Sequence, residues 1–396
     1  MTGCAVPPRA ESGSTLRLVV APDSFKGSLS AAEVAAAIAT GLRQVWPDAQ
    51  VLEVPLADGG EGTLEAVLRG GGQRRFATVR GAAGGERRAA WGEVRWEGAS
   101  AALLEVAQVV PITDTEAMAL AVTRRDTRGL GELLGAVLDA GHRQLLFALG
   151  GSSTNDGGAG LLNALGVVYR DAEGAALDPT PEALVDLARV DTSALDSRLA
   201  GGQLTVLSDV TNPLCGSLGA TAVFGPQKGL LQGEIGALDQ VIERYAGLCE
   251  AAFGRKVMHL PGAGAAGGLG FALLLLGARL RSGAEVVAEL AGLDAALTGA
   301  DWLITGEGRS DLQTLLGKAP LIAAEHAARR GVPALLLSGS CAREALAQLH
   351  EHFAACFALP FGPMSLAQAM AEAPALLSAT AIEVAQLIAA ASSVRA

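Results

Sequence analysis

A short apolar run, Leu16-Arg-Leu-Val-Val-Ala21, leads into a polar loop, Pro22-Asp-Ser-Phe-Lys-Gly-Ser28, and then into apolar residues at helical spacing, Val34, Ile38, Leu42 and Val45. That order of strand, glycine-bearing loop and amphipathic helix narrows the fold sharply, because a strand followed by a helix on one face returns parallel to itself. Ser30-Ala-Ala-Glu33 has capping-box spacing and predicts the helix start. The order repeats at Val51 to Val54, where Pro55-Leu-Ala-Asp-Gly-Gly-Glu-Gly-Thr63 leads into a second helix. It returns near Asp301 to Thr305 and continues through Val332 to Leu337 and Phe353 to Leu359. These units predict a parallel sheet with crossover helices, built from both ends of the chain.

From Gly70 the pattern changes. Arg74 to Arg80, Arg88 to Trp96 and Ala101 to Val106 read as three consecutive strands of a meander. Seven arginines between Arg69 and Arg95 raise the question of a polyanion site, but Glu86, Glu93 and the alternation with Ala, Val and Trp favour a solvated sheet face. Beyond the meander come a strand at Gln144 to Ala148, a helix at Gly157 to Leu165 and a strand at Gln203 to Leu207. The expected fold class is α/β, with the middle of the chain inserted into a domain made from its ends.

Composition agrees. With 396 residues, half of them hydrophobic and only 18% charged, the chain has the apolar surface for large cores, and its 51 glycines are clustered rather than spaced as in collagen. Aromatics at 4% leave the cores to Ala, Val and Leu. Lys and Arg total 30 against 41 acids, a net charge of -11. Nucleic acid is therefore not an expected partner, although a cleft can still bind a small anion. Cys4, Cys215, Cys249, Cys341 and Cys356 are odd in number and scattered, which suggests reduced thiols and a cytoplasmic protein. Met1 to Ser14 lacks an apolar signal core and is expected to be a disordered tail. Leu260 to Ala278 is uncharged but holds six glycines and Pro261, so a loop entering a buried helix is expected and no membrane association. Homo-oligomerisation is left open.

Five polar, glycine-rich segments fall after predicted strands or before helices, where open α/β sheets place ligands. They are Asp23 to Ser28, Asp58 to Thr63, Gly150 to Gly158, Ser208 to Pro213 with Gly225 to Gly229, and Thr305 to Asp311 with Gly317-Lys318. Backbone N–H groups and cations suit phosphates, and carboxylates suit Mg²⁺ or a proton. No Walker-type P-loop occurs, since Lys318 is followed by Ala319 and Lys228 by Gly229. Gly262-Ala-Gly264-Ala-Ala-Gly267 fits G-x-G-x-x-G but follows Pro261 rather than a clear strand, which weighs against a dinucleotide site. The histidines do not cluster, and no G-x-S-x-G elbow is present. Two rival readings remain: an NAD-dependent hydroxy-acid dehydrogenase using Gly262 to Gly267, and a non-enzymatic hydroxy-acid sensor.

Six segments together resemble the bacterial type I glycerate kinases. They are Ala-Pro-Asp-Ser-Phe-Lys-Gly-Ser (21 to 28), Ala-Asp-Gly-Gly-Glu-Gly-Thr (57 to 63), Gly-Gly-Ser-Ser-Thr-Asn-Asp-Gly-Gly-Ala-Gly (150 to 160), Gly-Pro-Gln-Lys-Gly (225 to 229), Pro-Gly-Ala-Gly-Ala-Ala-Gly-Gly (261 to 268) and Thr-Gly-Glu-Gly-Arg-Ser-Asp-Leu-Gln-Thr (305 to 314). The departures, at Ser153 and Ser310, remove no charged group. The resemblance implies ATP- and Mg²⁺-dependent phosphorylation of D-glycerate, usually to 2-phosphoglycerate, by in-line transfer in an interdomain cleft. It also implies two α/β domains, one Rossmann-like, which places residues 15–72 and 290–396 in one and 73–289 in the inserted other.

On that reading Lys26, Lys228 and Lys318 are point charges for ATP phosphates or glycerate, and the fork of Arg309 suits a planar carboxylate. Among the acids Asp58, Asp156, Asp209 and Asp311, Asp209 is nominated as the base because it directly follows a buried strand, and Asp156 or Asp311 as metal ligand. The nucleotide would be cradled by Ser24, Gly27, Ser28, Gly151, Ser152, Ser153, Thr154, Asn155, Gly264, Gly267, Gly306, Glu307 and Gly308.

Overall fold

Leu18, Val19 and Val20 are wholly buried because their strand, Arg17–Val20, has a parallel neighbour on each side. Such a strand reads as an unbroken apolar run rather than an alternation. The computed structural model describes residues 15 to 393. The expectations for Met1 to Ser14, and for Cys4 within it, lie outside the described residues. The described residues form two compact units: one takes residues 15–58, Glu65–Gly71 and residues 284–393, and the other takes Gly59–Leu64 and Gly72–Gly283.

The first unit is built on a five-stranded sheet in the order Ala355–Ala358, Ala334–Ser338, Trp302–Thr305, Arg17–Val20, Gln50–Glu53, with every pairing parallel. Leu18 sits between Trp302 and Val51 in register. The helix Ala31–Val45 starts at the expected capping box: Ser30 Oγ accepts from Glu33 N, and Glu33 Oε2 accepts from Ser30 N at 2.8 Å. Its buried face carries Val34, Ile38 and Leu42, which join Leu18, Val20, Ile304 and Leu337 in one core. Against it lies the helix Ala373–Ser393, the one described helix long and apolar enough to cross a membrane by length and composition. A Cβ at Gly41 would come within 2.2 Å of the Ser378 carbonyl oxygen, so glycine permits the two helices this approach.

The second unit holds a mixed six-stranded sheet in the order Arg279–Arg281, Gln203–Leu207, Gln144–Ala148, Ala99–Glu105, Glu86–Trp96, Gln73–Arg80. The last three strands are the expected antiparallel meander, and the first four run parallel. The fold class is the α/β arrangement anticipated from the sequence. The meander arginines lie toward water: Arg75 pairs with Glu93, Arg80 with Glu132 and Arg87 with Asp114, while Trp91 and Trp96 turn inward. The uncharged run after Leu260 is a turn followed by the buried helix Ala265–Leu275.

Candidate functional site

In the first unit, adjacent parallel strands bring their exit loops together. Asp23 N–H donates to the Gly306 carbonyl at 2.8 Å, the Thr305 hydroxyl donates to the Ala21 carbonyl at 2.7 Å, and Leu56 N–H donates to the Pro22 carbonyl. Gly27 makes its tight turn at φ +78, and the Ser28 hydroxyl bonds the Met370 carbonyl. Gly306 must be glycine for another reason: a Cβ there would sit 1.9 Å from the Leu337 carbonyl oxygen.

These loops assemble a cluster of acids and amines. Lys26 Nζ lies 3.3 Å from Asp58 Oδ2, and the charge of Asp58 raises the lysine's pKa. Asp23 is only 4% exposed. Burial, then the charge of Asp58, push its carboxyl up to about 7, while Lys26 and the Ser24 N–H at 2.6 Å pull it down. Buried Glu307 accepts from the hydroxyls of Thr314 at 2.6 Å and Ser310 at 3.1 Å, and Lys318 Nζ stands 3.4 Å from its other oxygen. Lys318 is the N-cap residue of the helix Ala319–Ala328. Arg309, 71% exposed, engages Asp311 through Nε at 3.3 Å. Of the expected residues, Lys26, Asp58, Glu307 and Lys318 are thus drawn together, with Ser24, Gly27, Ser28, Gly306, Gly308, Arg309 and Asp311 in the same loops. Asp23 was not among the nominations, although it opens the first glycine loop; only its tertiary neighbours distinguish it from a turn-forming aspartate.

The second unit gathers the remaining loops at the carboxyl end of its parallel strands. A Cβ at Gly150 would lie 2.4 Å from Gly60 Cα, and Gly150 N–H donates to the Gly59 carbonyl. Buried Glu105, at the end of its strand, accepts from Gly62 N–H and from Leu64 N–H at 2.7 Å, so it caps the loop that the sequence had marked. Asp156 is fully buried: Oδ2 accepts from Thr127 N–H, the Thr127 hydroxyl and Gly160 N–H, and Oδ1 from Gly158 N–H. Burial still pushes it up to about 6. Lys228, 2% exposed, donates to Ser152 Oγ at 2.9 Å and to the Thr154 carbonyl at 2.6 Å, and burial pushes it down to about 7. The Asn155 amide donates to the Thr221 hydroxyl at 3.0 Å. Asp209, by contrast, is exposed, with Gly283 N–H donating to it at 3.3 Å.

The G-x-G-x-x-G segment is entered from a turn after the helix Ile235–Phe253, not from a strand, and so lacks the context of a dinucleotide fingerprint. Its glycines admit close packing: a Cβ at Gly264 would meet the Pro213 carbonyl oxygen at 2.3 Å, and one at Gly267 the Thr154 carbonyl oxygen at 2.1 Å. Gly151, with φ +76, instead faces Ala107 and Glu61. A groove of about 1160 Å³ opens at the other end of this sheet, among Phe76, Trp91, His142 and the strand starts Gln144 and Gln203, and contains none of the nominated residues.

Known proteins resemble this chain along nearly all of its length. The model of the glycerate kinase family matches residues 18–389. A glycerate kinase of Bacillus subtilis is 40% identical over 94% of this chain and 98% of its own length. A glycerate 2-kinase of Escherichia coli is 41% identical over 85% of this chain and 88% of its own. A crystal structure from Salmonella typhimurium LT2, described as a candidate glycerate kinase 2, superposes with a TM-score of 0.80 at 40% identity, covering 96% of this chain and all of that one. The chain belongs to the glycerate kinase family, a family of phosphotransferases.

Proposed function

We propose that this protein transfers the γ-phosphoryl group of ATP to a hydroxyl of D-glycerate in the cytoplasm, with 2-phosphoglycerate as product. Within the chain, the Asp23 cluster supports this reading most directly: a buried carboxyl poised near neutrality stands among Lys26, Asp58 and Glu307 at the carboxyl edge of a parallel sheet. The attacking hydroxyl must shed a proton, and a general base works best when its pKa lies near the working pH. Asp23 meets that condition. Asp209, nominated from its place after a buried strand, is exposed and accepts from Gly283 N–H, without the burial that tunes Asp23. Lys26 and Lys318 supply positive charge for phosphoryl oxygens, and the exposed fork of Arg309 suits the glycerate carboxylate.

Of the two acids nominated for Mg²⁺, Asp156 does not fit a resident ion. The Asp156 oxygens already accept four hydrogen bonds, and those of Asp311 face Arg309 and the Gln313 N–H. Among the described residues no group of three His, Cys, Asp or Glu is placed to hold a metal. Mg²⁺ is better carried in on the nucleotide's phosphates, where it keeps most of its waters. A coupled assay for ADP release across a panel of small hydroxy acids tests the reading, with phosphorus NMR to identify the product. ADP release with D-glycerate and a 2-phosphoglycerate signal are expected; no ADP release with any hydroxy acid would overturn it.

A further inference from the structure

Arg125 lies outside every glycine loop, yet its side chain is among the most deeply buried in the second unit, at 1% exposure. Among the described residues its guanidinium bonds no carboxylate. Nη1 donates to the carbonyls of Ser153 and Lys228, each at 2.9 Å, and Nε and Nη2 donate to the Leu120 carbonyl. Lys228, whose main chain Arg125 holds, donates in turn to the Thr154 carbonyl. Two buried cations thus pull successive carbonyls of one loop toward themselves.

The peptide bonds are trans, so each N–H points opposite to the carbonyl of its own peptide unit. The Thr154 N–H therefore faces away from Arg125, and the Asn155 N–H away from Lys228. Neither has an acceptor among the described residues, although both residues are buried. Thr154 Oγ1 and Asn155 Oδ1 are also buried without a partner. Turned over about its terminal torsion, the Asn155 amide would keep a bond to Thr221 through its oxygen and leave its NH₂ as a further unpaired donor. Unpaired buried donors on the far side of a loop held by a buried guanidinium and amine are a place for an oxyanion.

We infer that Arg125 is a positioning residue: acting with Lys228 through the loop carbonyls, it aims the N–H groups of Thr154 and Asn155 and the Thr154 hydroxyl at an oxyanion of a substrate. This rests on the phosphotransferase reading above, and the oxyanion is a phosphoryl group of the nucleotide or the carboxylate of glycerate. Three variants test it, Arg125→Gln, Arg125→Lys and Thr154→Val, each with a thermal melt and separate KM values for Mg·ATP and D-glycerate. Arg125→Gln is expected to raise one KM by about 10-fold or more, with partial recovery in Arg125→Lys. Thr154→Val, which exchanges the hydroxyl for a methyl group of similar size, is expected to raise the same KM several-fold at a nearly unchanged melting temperature. The KM that responds identifies the oxyanion. Unchanged KM values in folded Thr154→Val and Arg125→Lys would overturn the inference, leaving Arg125 a structural tie and the unpaired donors to a buried water. A wild-type chain that releases no ADP would instead retire the kinase reading. Calorimetric binding of inorganic phosphate or D-glycerate to wild type but not to Thr154→Val would then still support the cradle, and equal binding to both, or none to either, would refute it.

Discussion

Replacing Asp23 by Asn separates two effects of one carboxyl. In the unfolded chain an aspartate titrates near 3.9, whereas burial and the charge of Asp58 hold Asp23 at about 7 in the fold. Between those values the folded chain binds the extra proton, so this group's contribution to stability is present below about pH 4 and is lost as pH rises through 7. Asp23→Asn should therefore melt above wild type at pH 8, by about 1 kcal/mol or more of stability, while turnover falls at least about 100-fold. A variant that melts lower at pH 8, or keeps near-normal turnover, would remove Asp23 from the role of base. None of this was readable locally, because Asp58 and Glu307, which set its environment, lie far along the chain. Arg125 escaped for the same reason: its partners are carbonyls from three separate segments, and carbonyls leave no mark on a sequence.

At the level of elements, the local signals held where their causes are local. The capping box at Ser30 and Glu33 and the apolar stripe at Val34, Ile38 and Leu42 depend on residues a turn apart, and they appear as expected. Ser30→Ala should cost about 1 kcal/mol in a denaturant melt. The close approach of the helices Ala31–Val45 and Ala373–Ser393 was not legible, since Gly41 inside a helix reads only as a weak point. Gly41→Val should destabilise by about 2 kcal/mol or more, because the Ser378 carbonyl has no room to retreat without moving its helix. A melt within experimental error of wild type would show that the pair slides freely. Similarly, the Ala266 to Gly268 segment, with three successive positive φ values of 52, 68 and 95, lets the chain pass close to Thr154 and Gly157; the sequence announced its glycines and not their purpose.

For the whole molecule, ligands that bind only the folded chain must stabilise it. Mg·ATP or D-glycerate at 100 times its dissociation constant should add about 2.7 kcal/mol, and NAD should add nothing. Stabilisation by NAD alone would revive the dehydrogenase reading. The discontinuous first unit makes a second prediction. A chain ended at Leu290 keeps all six strands of the mixed sheet but leaves Arg17–Val20 and Gln50–Glu53 without the other three strands of theirs. It should keep a cooperative melt while residues before Asp58 become sensitive to protease. Protection of that segment would mean that two strands and one helix suffice.

The pairing of Leu18 with Trp302 also sets a timetable in the cell. A ribosome adding about 5–20 residues each second takes on the order of 15 to 60 seconds to travel from the first of these strands to the second. Throughout that interval the nascent chain displays one of its most apolar edges with no mate, while the mixed sheet downstream is completed first. Chaperone capture of this segment during translation, and loss of yield when it is delayed, follow from the order in which the gene is read.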